Sequence, residues 1–541
     1  MRKTFRWTLT GVAAATLIAA CSKPADPPTA VPAVTAAPDD GHAADAIAWR
    51  HVASDAEVDA AFALARTEGK PLFVYWGAAW CPPCNQLKAT LFNRADFIQR
   101  SRAFVPVYID GDSPGAQKLG SRFKVRGYPT TVLFDAQGTE LTRLPGEVDA
   151  ERYNELLTLG MNAQRPVKAV LAQARAGGQG LGADDWRLLA YYSWETDRQQ
   201  LLDAKDLPAL LQQLAQACPP AQSDSATRLK LKALAAAGDA GEARPDAAAR
   251  AMVLTLLADP PRARAHVDLL TNNAAELLWA LSGRGTPERT ALAAAFDTAL
   301  QRLQADETLS RADRVMALIG RVGVARVEQP KPAPEQALTP AGLPEALLAD
   351  VRDLSARFDR DIRDGYERQA VITTAAYALE QAGLLAESDA LLQANLAKSH
   401  SPYYLMADLA SNAQKRGDTA GALRWWAQAF DGAQGAATRL QWGAWYLEAL
   451  VKHTPADVAR IEQVAAQLFK EAGAMPDAFY ERSGRSLQRV AKQLLDWRQT
   501  TAHRPAFDRL RQQLDAVCRA LPAGEAQRPA CEALLRPATP A

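Results

Sequence analysis

Two cysteines three positions apart, directly behind an apolar run, constrain this chain of 541 residues more than any other feature. The run Phe73-Val-Tyr-Trp-Gly77 reads as a strand and Cys81-Pro-Pro-Cys84 as the first turn of a helix. The first sulfur then lies over backbone amides that lack intrahelical partners, where the helix dipole favours thiolate. Cys81 is the expected nucleophile. Cys84, one turn further on, faces the same way and is placed to attack a mixed disulfide on Cys81, releasing the partner and closing an intramolecular disulfide.

The same spacing serves as half of a zinc site, but the other half needs a second Cys/His pair. None of the six histidines, His42, His51, His266, His400, His453 and His503, lies close in sequence to another or to a Cys-x-x-Cys, so no metal is expected. Beyond the cysteines come an apolar run at 103–109, a helix-like stretch at 114–123, and Val125-Arg-Gly-Tyr128-Pro129-Thr130-Thr-Val-Leu-Phe134. A strand, turn and strand follow at 132–134, Gln137-Gly138 and 140–144.

Residues 48–164 thus resemble the thioredoxin family, on Trp80-Cys81-Pro82-Pro83-Cys84 and on Gly127-Tyr128-Pro129-Thr130 at the place of the family's cis-proline loop. The resemblance implies a central sheet flanked by helices, with Pro129 against the Cys81 sulfur. It also implies that the Tyr128 backbone docks an incoming cysteine-containing strand, with Trp80, Tyr128 and Pro129 as the substrate-binding set and no cofactor. Two departures stand out. Where thioredoxins carry a buried Asp–Lys pair beneath the second cysteine, this chain has Tyr75 and Pro106, neither of which can act as that base. The resemblance is therefore closer to periplasmic thioredoxin-like domains, and the run Gln86-Leu-Lys-Ala-Thr-Leu-Phe92 is similar to the C-terminal domain of the membrane thiol:disulfide interchange reductase. Pro82-Pro83 leaves the reduction potential open.

The N-terminus predicts a compartment. Arg2, Lys3 and Arg6 precede an apolar stretch at 9–20, and Leu17-Ile18-Ala19-Ala20-Cys21 resembles a bacterial lipoprotein signal, with residues 1–20 removed and Cys21 lipidated. Ser22 is not the Asp associated with inner-membrane retention, so the expected address is the periplasm, lipid-anchored at the outer membrane. Residues 21–47, rich in Pro and Ala, read as a tether that would reach roughly 80 Å as polyproline II and about 30 Å as a coil. Formal charge is +1, which leaves no broad basic footprint for nucleic acid.

Of the remaining cysteines, Cys518 and Cys531, 13 positions apart, are expected to form a structural disulfide contributing about 3 kcal/mol, and Cys218 to be buried as a small apolar residue. From residue 165 onward Ala, Leu, Gln, Arg and Glu dominate, and apolar residues recur at three- and four-residue intervals at 207–217, 229–237, 346–358 and 458–472. Two helical regions, 165–325 and 343–541, flank a Pro-rich linker at 326–342. Around 370–450 the pattern resembles tetratricopeptide repeats: Leu409, Gly417, Ala422, Trp426 and Ala429 fall at its packing positions and Gly383 stands 34 residues before Gly417, although Ser388 and Asn395 replace the usual Ala. Such an array presents a concave face to a peptide or protein. Trp425, Trp426, Trp442, Trp445 and Tyr446 suit its core better than its groove.

The expected whole is an α/β thioredoxin fold followed by a large all-α helical-repeat region. Its expected function is that of a protein thiol:disulfide oxidoreductase acting on cysteine-containing periplasmic clients, recharged by an external thiol-redox partner. The alternative is a scaffold lipoprotein whose thioredoxin-like domain only docks partners. Copper delivery lacks a nearby His or Met ligand.

Overall fold

The computed structural model describes residues 46–194, 196–197, 201, 206–241, 246–330 and 336–536. The expected signal, Cys21 and the expected tether up to residue 45 lie outside them.

Strand β1 (Arg50–His51) leads into helix α1 (Asp55–Glu68), which starts at a reciprocal Ser54–Glu57 capping box and stops at Gly69 in the left-handed region, φ 64°. Strand β2 (Leu72–Gly77) is buried along its whole length, as a central strand must be. Its side chains alternate between two cores. Leu72, Val74 and Trp76 join Phe62 of α1 on one face, and Phe73 and Tyr75 join the cysteines and Leu87 on the other. After β2 come α2 (Pro82–Thr90), α3 (Ala95–Ser101), β3 (Val105–Asp110), α4 (Ala116–Phe123), β4 (Thr130–Phe134), β5 (Glu140–Leu144) and α5 (Ala150–Met161). The sheet order is β1-β3-β2-β4-β5. β3 runs parallel to β1 and β2, and β4 antiparallel to β2 and β5.

Helices α6 (Val167–Arg175) to α25 (Arg528–Ala533) make up the rest of the described chain, so the expected α/β domain followed by an all-helical region is what is observed. The periodic segments appear as α8 (Leu207–Ala217), α9 (Ser223–Asp239), α16 (Glu345–Asp361) and α22 (Val458–Gly473). Packing is continuous across residue 165: Leu133 and Leu157 share one core with Val170, Trp186, Leu189 and Leu214. It is continuous across the Pro-rich segment as well, where Val315 and Leu318 of α15 (Arg311–Ala325) meet Leu347 and Val351 of α16. Among the described residues, no helix is long and apolar enough to cross a membrane.

In the repeat-like stretch, α17 (Gly365–Gln381) turns into α18 (Leu385–Asn395) at Gly383, and α19 (Pro402–Lys415) into α20 (Thr419–Gly432) at Gly417; both glycines are left-handed, φ 81° and 76°. Helix α21 (Ala436–His453) follows. The two polar residues at repeat packing positions are used: Ser388 Oγ donates to the Ala376 carbonyl at 2.9 Å, and Asn395 Nδ2 donates to Asp359 at 3.0 Å.

Within the first helical block, Arg228 grips Asp268 by two hydrogen bonds of 3.0 and 2.6 Å, both residues buried, and lies 4.1 Å above the Tyr191 ring. His266 sits beside them, 3.5 Å from Asp224. Burial pushes its pKa down to about 4, outweighing the pull of Asp224 and Asp268, while Arg228 and Arg152 push the same way as burial. The unfolded chain then binds a proton that the folded chain refuses between pH 6.5 and 4. Stability is expected to fall by up to about 3 kcal/mol as pH drops through that window. Urea unfolding of wild type and His266→Gln at pH 7 and pH 5 checks this: the variant should lose much of the pH dependence, and equal slopes would exclude His266 as its source.

Candidate active site

Cys81 is the N-cap of α2 and Pro82-Pro83 its first two residues. Prolines have no N–H, so the first amide the helix can offer is that of Cys84, which donates to Cys81 Sγ at 3.2 Å. The sequence thus aims one backbone donor and the positive end of the helix dipole at the sulfur expected to carry charge. The two cysteines are disulfide-bonded, with Cα atoms 5.2 Å apart. Buried Asn85 pins the turn, its amide donating to the carbonyls of Ala79 at 2.8 Å and Cys81 at 2.9 Å.

The loop before β4 completes the site. Tyr128-Pro129 is a cis peptide, and Thr130 Oγ1 ties the loop back to the Gly127 carbonyl at 2.9 Å. The Tyr128 ring stacks on Trp76 and its hydroxyl accepts from Gln117 Nε2 at 3.2 Å. Gly111 makes room for that phenol, since a Cβ there would stand 2.2 Å from the hydroxyl oxygen. Beneath the site Tyr75 stacks on Tyr108. Burial pushes its hydroxyl well above the ordinary tyrosine range, so it stays neutral and offers the cysteines no base. Pro106 pairs with Phe73 inside the sheet. Two other ionisable groups are buried nearby in the chain: burial raises Asp110 at the end of β3 and lowers Lys88, one turn beyond Cys84, while each attracts the other.

Residues 58–160 match the family model described as a thioredoxin-like domain. This segment is a thioredoxin-like domain. It is similar to thiol:disulfide interchange proteins: DsbD 1 of Pseudomonas aeruginosa at 30% identity over 113 residues, 20% of this chain and 19% of that protein. DsbD of Ralstonia nicotianae matches at 31% over 110 residues, 20% of this chain and 18% of that protein, and DsbD of Yersinia pestis at 32% over 95 residues, 17% and 16%. The chain therefore spans about a fifth or less of the length of these curated relatives.

The helical region covers the thioredoxin-like domain's redox face, which nothing in the sequence foretold. Cys81 is 2% exposed and Cys84 0%. The Trp80 ring stacks on Tyr404 of α19, 5.8 Å between centroids, and meets the buried Trp442 of α21 edge-on at 5.1 Å. From the start of α23 (Glu481–Trp497), the Arg482 guanidinium lies 5.3 Å from the Trp80 ring and 5.2 Å from Tyr128. Asp112 neutralises it at 2.8 Å and also accepts from the amide and hydroxyl of Thr438, each at 2.7 Å. Around the turn, His400 Nε2 lies 3.1 Å from the Ala79 carbonyl and Gln369 Nε2 donates to the Trp80 carbonyl at 3.4 Å.

The other singled-out residues lie elsewhere. Cys518 and Cys531 are disulfide-bonded between α24 (Arg504–Ala520) and α25. Cys218 is a buried thiol at the end of α8, pushed up to about 11 by burial and so inert as a nucleophile at neutral pH.

Proposed function

We propose that this protein is a periplasmic thiol:disulfide oxidoreductase, lipid-anchored through Cys21, whose helical region selects what reaches Cys81. The observation that carries the redox reading is the Cys81 sulfur at the N-cap of α2, receiving the Cys84 amide, next to a cis Tyr128-Pro129 loop. Reduced Cys81 attacks a client disulfide, its sulfur bonding to one client sulfur while the other leaves as thiolate. Cys84 then attacks Cys81, returning the client as dithiol and leaving the Cys81–Cys84 disulfide for an external thiol donor to reduce; the same steps reversed oxidise a client. Similarity to the interchange proteins supports this chemistry, and the basic, apolar and Cys-terminated N-terminus supports the anchor and compartment.

One measurement addresses both parts. The mature full chain, equilibrated in glutathione buffers, alkylated and weighed by mass spectrometry, should show a two-electron titration of the Cys81–Cys84 pair and a diacyl mass on Cys21. A pair that never titrates would favour the scaffold reading. An unmodified Cys21 would remove the anchor.

A further inference from the structure

Two cavities meet in the cover over the redox face. One, about 250 Å³, is lined by Pro82 and Pro83 on the domain side and by Tyr377, Tyr404 and Asp408 on the helical side. The other, about 350 Å³, continues from Tyr404 and Asp408 to Trp426, Trp442, Trp445 and Glu448. Tyr404 and Asp408, one helical turn apart on α19, border both, so the two adjoin as a groove that starts beside Pro82 and Pro83.

The charges around the groove are unequally answered. Glu380 is paired with Lys415 at 2.6 Å and Glu448 with Arg489 at 2.7 Å; Lys452 lies on α21 one turn beyond Glu448. Asp408 alone among the acids lining the two cavities makes no hydrogen bond or ion pair with any described residue. Burial, reinforced by Glu380 and only partly relieved by Lys415, holds its carboxyl up at about 7. A carboxylate in such surroundings is stabilised most by a cation brought close to it. The walls suit the same visitor: the partly exposed Trp426 and Trp445 have ring centroids 5.8 Å apart, and indole faces attract cations. The buried redox turn admits an extended segment through such a groove more readily than a folded surface.

We propose that this groove is a recognition site for a lysine or arginine side chain flanking the cysteine of an extended client segment, with Asp408 as counter-ion and Trp426 and Trp445 as its aromatic wall. The proposal rests on the oxidoreductase reading for the client's cysteine, but the recognition of the cation is testable by itself. Full-length protein is given extended peptides carrying one cysteine as its mixed disulfide with glutathione, with Lys, norleucine or Glu at the flanking position. Cysteine-to-serine versions of the peptides report binding by fluorescence anisotropy without any redox step.

The Lys peptide is expected to bind and react about tenfold better than the norleucine peptide, and the Glu peptide worse than both. Asp408→Asn should erase the Lys preference while exchange with glutathione disulfide stays at the wild-type rate, and Trp445→Leu should reduce it. Equal binding of the Lys and norleucine serine peptides, or a preference that survives Asp408→Asn, would overturn the proposal. Failure of every thiol exchange with the binding preference intact would instead refute the oxidoreductase reading and leave the cation site standing.

Discussion

Replacing Cys81 with serine is expected to abolish thiol–disulfide exchange, a loss of about a thousandfold or more, because the hydroxyl at that N-cap is not a nucleophile at neutral pH. Cys84→Ser should behave differently. Its attacking thiol survives, but the resolving sulfur is gone, so mixed disulfides through Cys81 accumulate instead of turning over. Serine retains the backbone amide at position 84 that donates to Cys81 Sγ at 3.2 Å, so activation of the first sulfur should persist in this variant. Non-reducing gels of cells expressing each form provide the check: ladders of adducts in Cys84→Ser that vanish in the double variant support the mechanism. Their absence in both oxidising and reducing growth would turn the assignment toward the scaffold.

The parts of this site that sequence could deliver are those whose physics is local. A strand run into a Pro-Pro helix start defines where Cys81 must sit, whatever the rest of the chain does. A glycine 34 residues before another marks two left-handed turns because each is satisfied within its own helix pair. The same holds for 346–358 and 458–472, where apolar spacing alone fixes helices close to their observed bounds. What stays hidden is the pairing of distant surfaces. Arg482 opens a helix whose Leu487, Val490 and Leu494 mark a buried face, but nothing in that pattern distinguishes an arginine facing water from one laid over Trp80. Trp442 fits a core position and is buried. Spacing could not show that part of what buries it is the tryptophan beside the nucleophile. Asp112, in the turn after β3, has the sequence character of an ordinary loop residue, yet it binds Thr438 and Arg482.

That cover leads to the other large expected effect. With Cys81 2% exposed beneath Trp80, and Trp80 held between Tyr404, Trp442 and Arg482, a bulky alkylating reagent should reach the reduced thiol only when the helical region lifts or breathes. Trp442→Leu removes the edge-on partner of Trp80, and the cavity left by truncating a buried aromatic costs a few kcal/mol. Arg482→Gln leaves the half-buried Asp112 carboxylate with Thr438 but without its cation, and breaking such a pair from one side costs about 3–5 kcal/mol. A loss of that size at one contact should raise the open population by about a hundredfold to several thousandfold if opening needs that contact broken, and maleimide-polymer labelling of Cys81 should accelerate accordingly. Small iodoacetamide, which needs a smaller opening to reach the thiol, should gain far less. Both variants should keep the wild-type circular dichroism spectrum, which separates local lifting from global unfolding. If wild type and variants label at one rate with either reagent, the helical region does not guard the cysteine, and client choice has to be made on the thioredoxin-like domain itself.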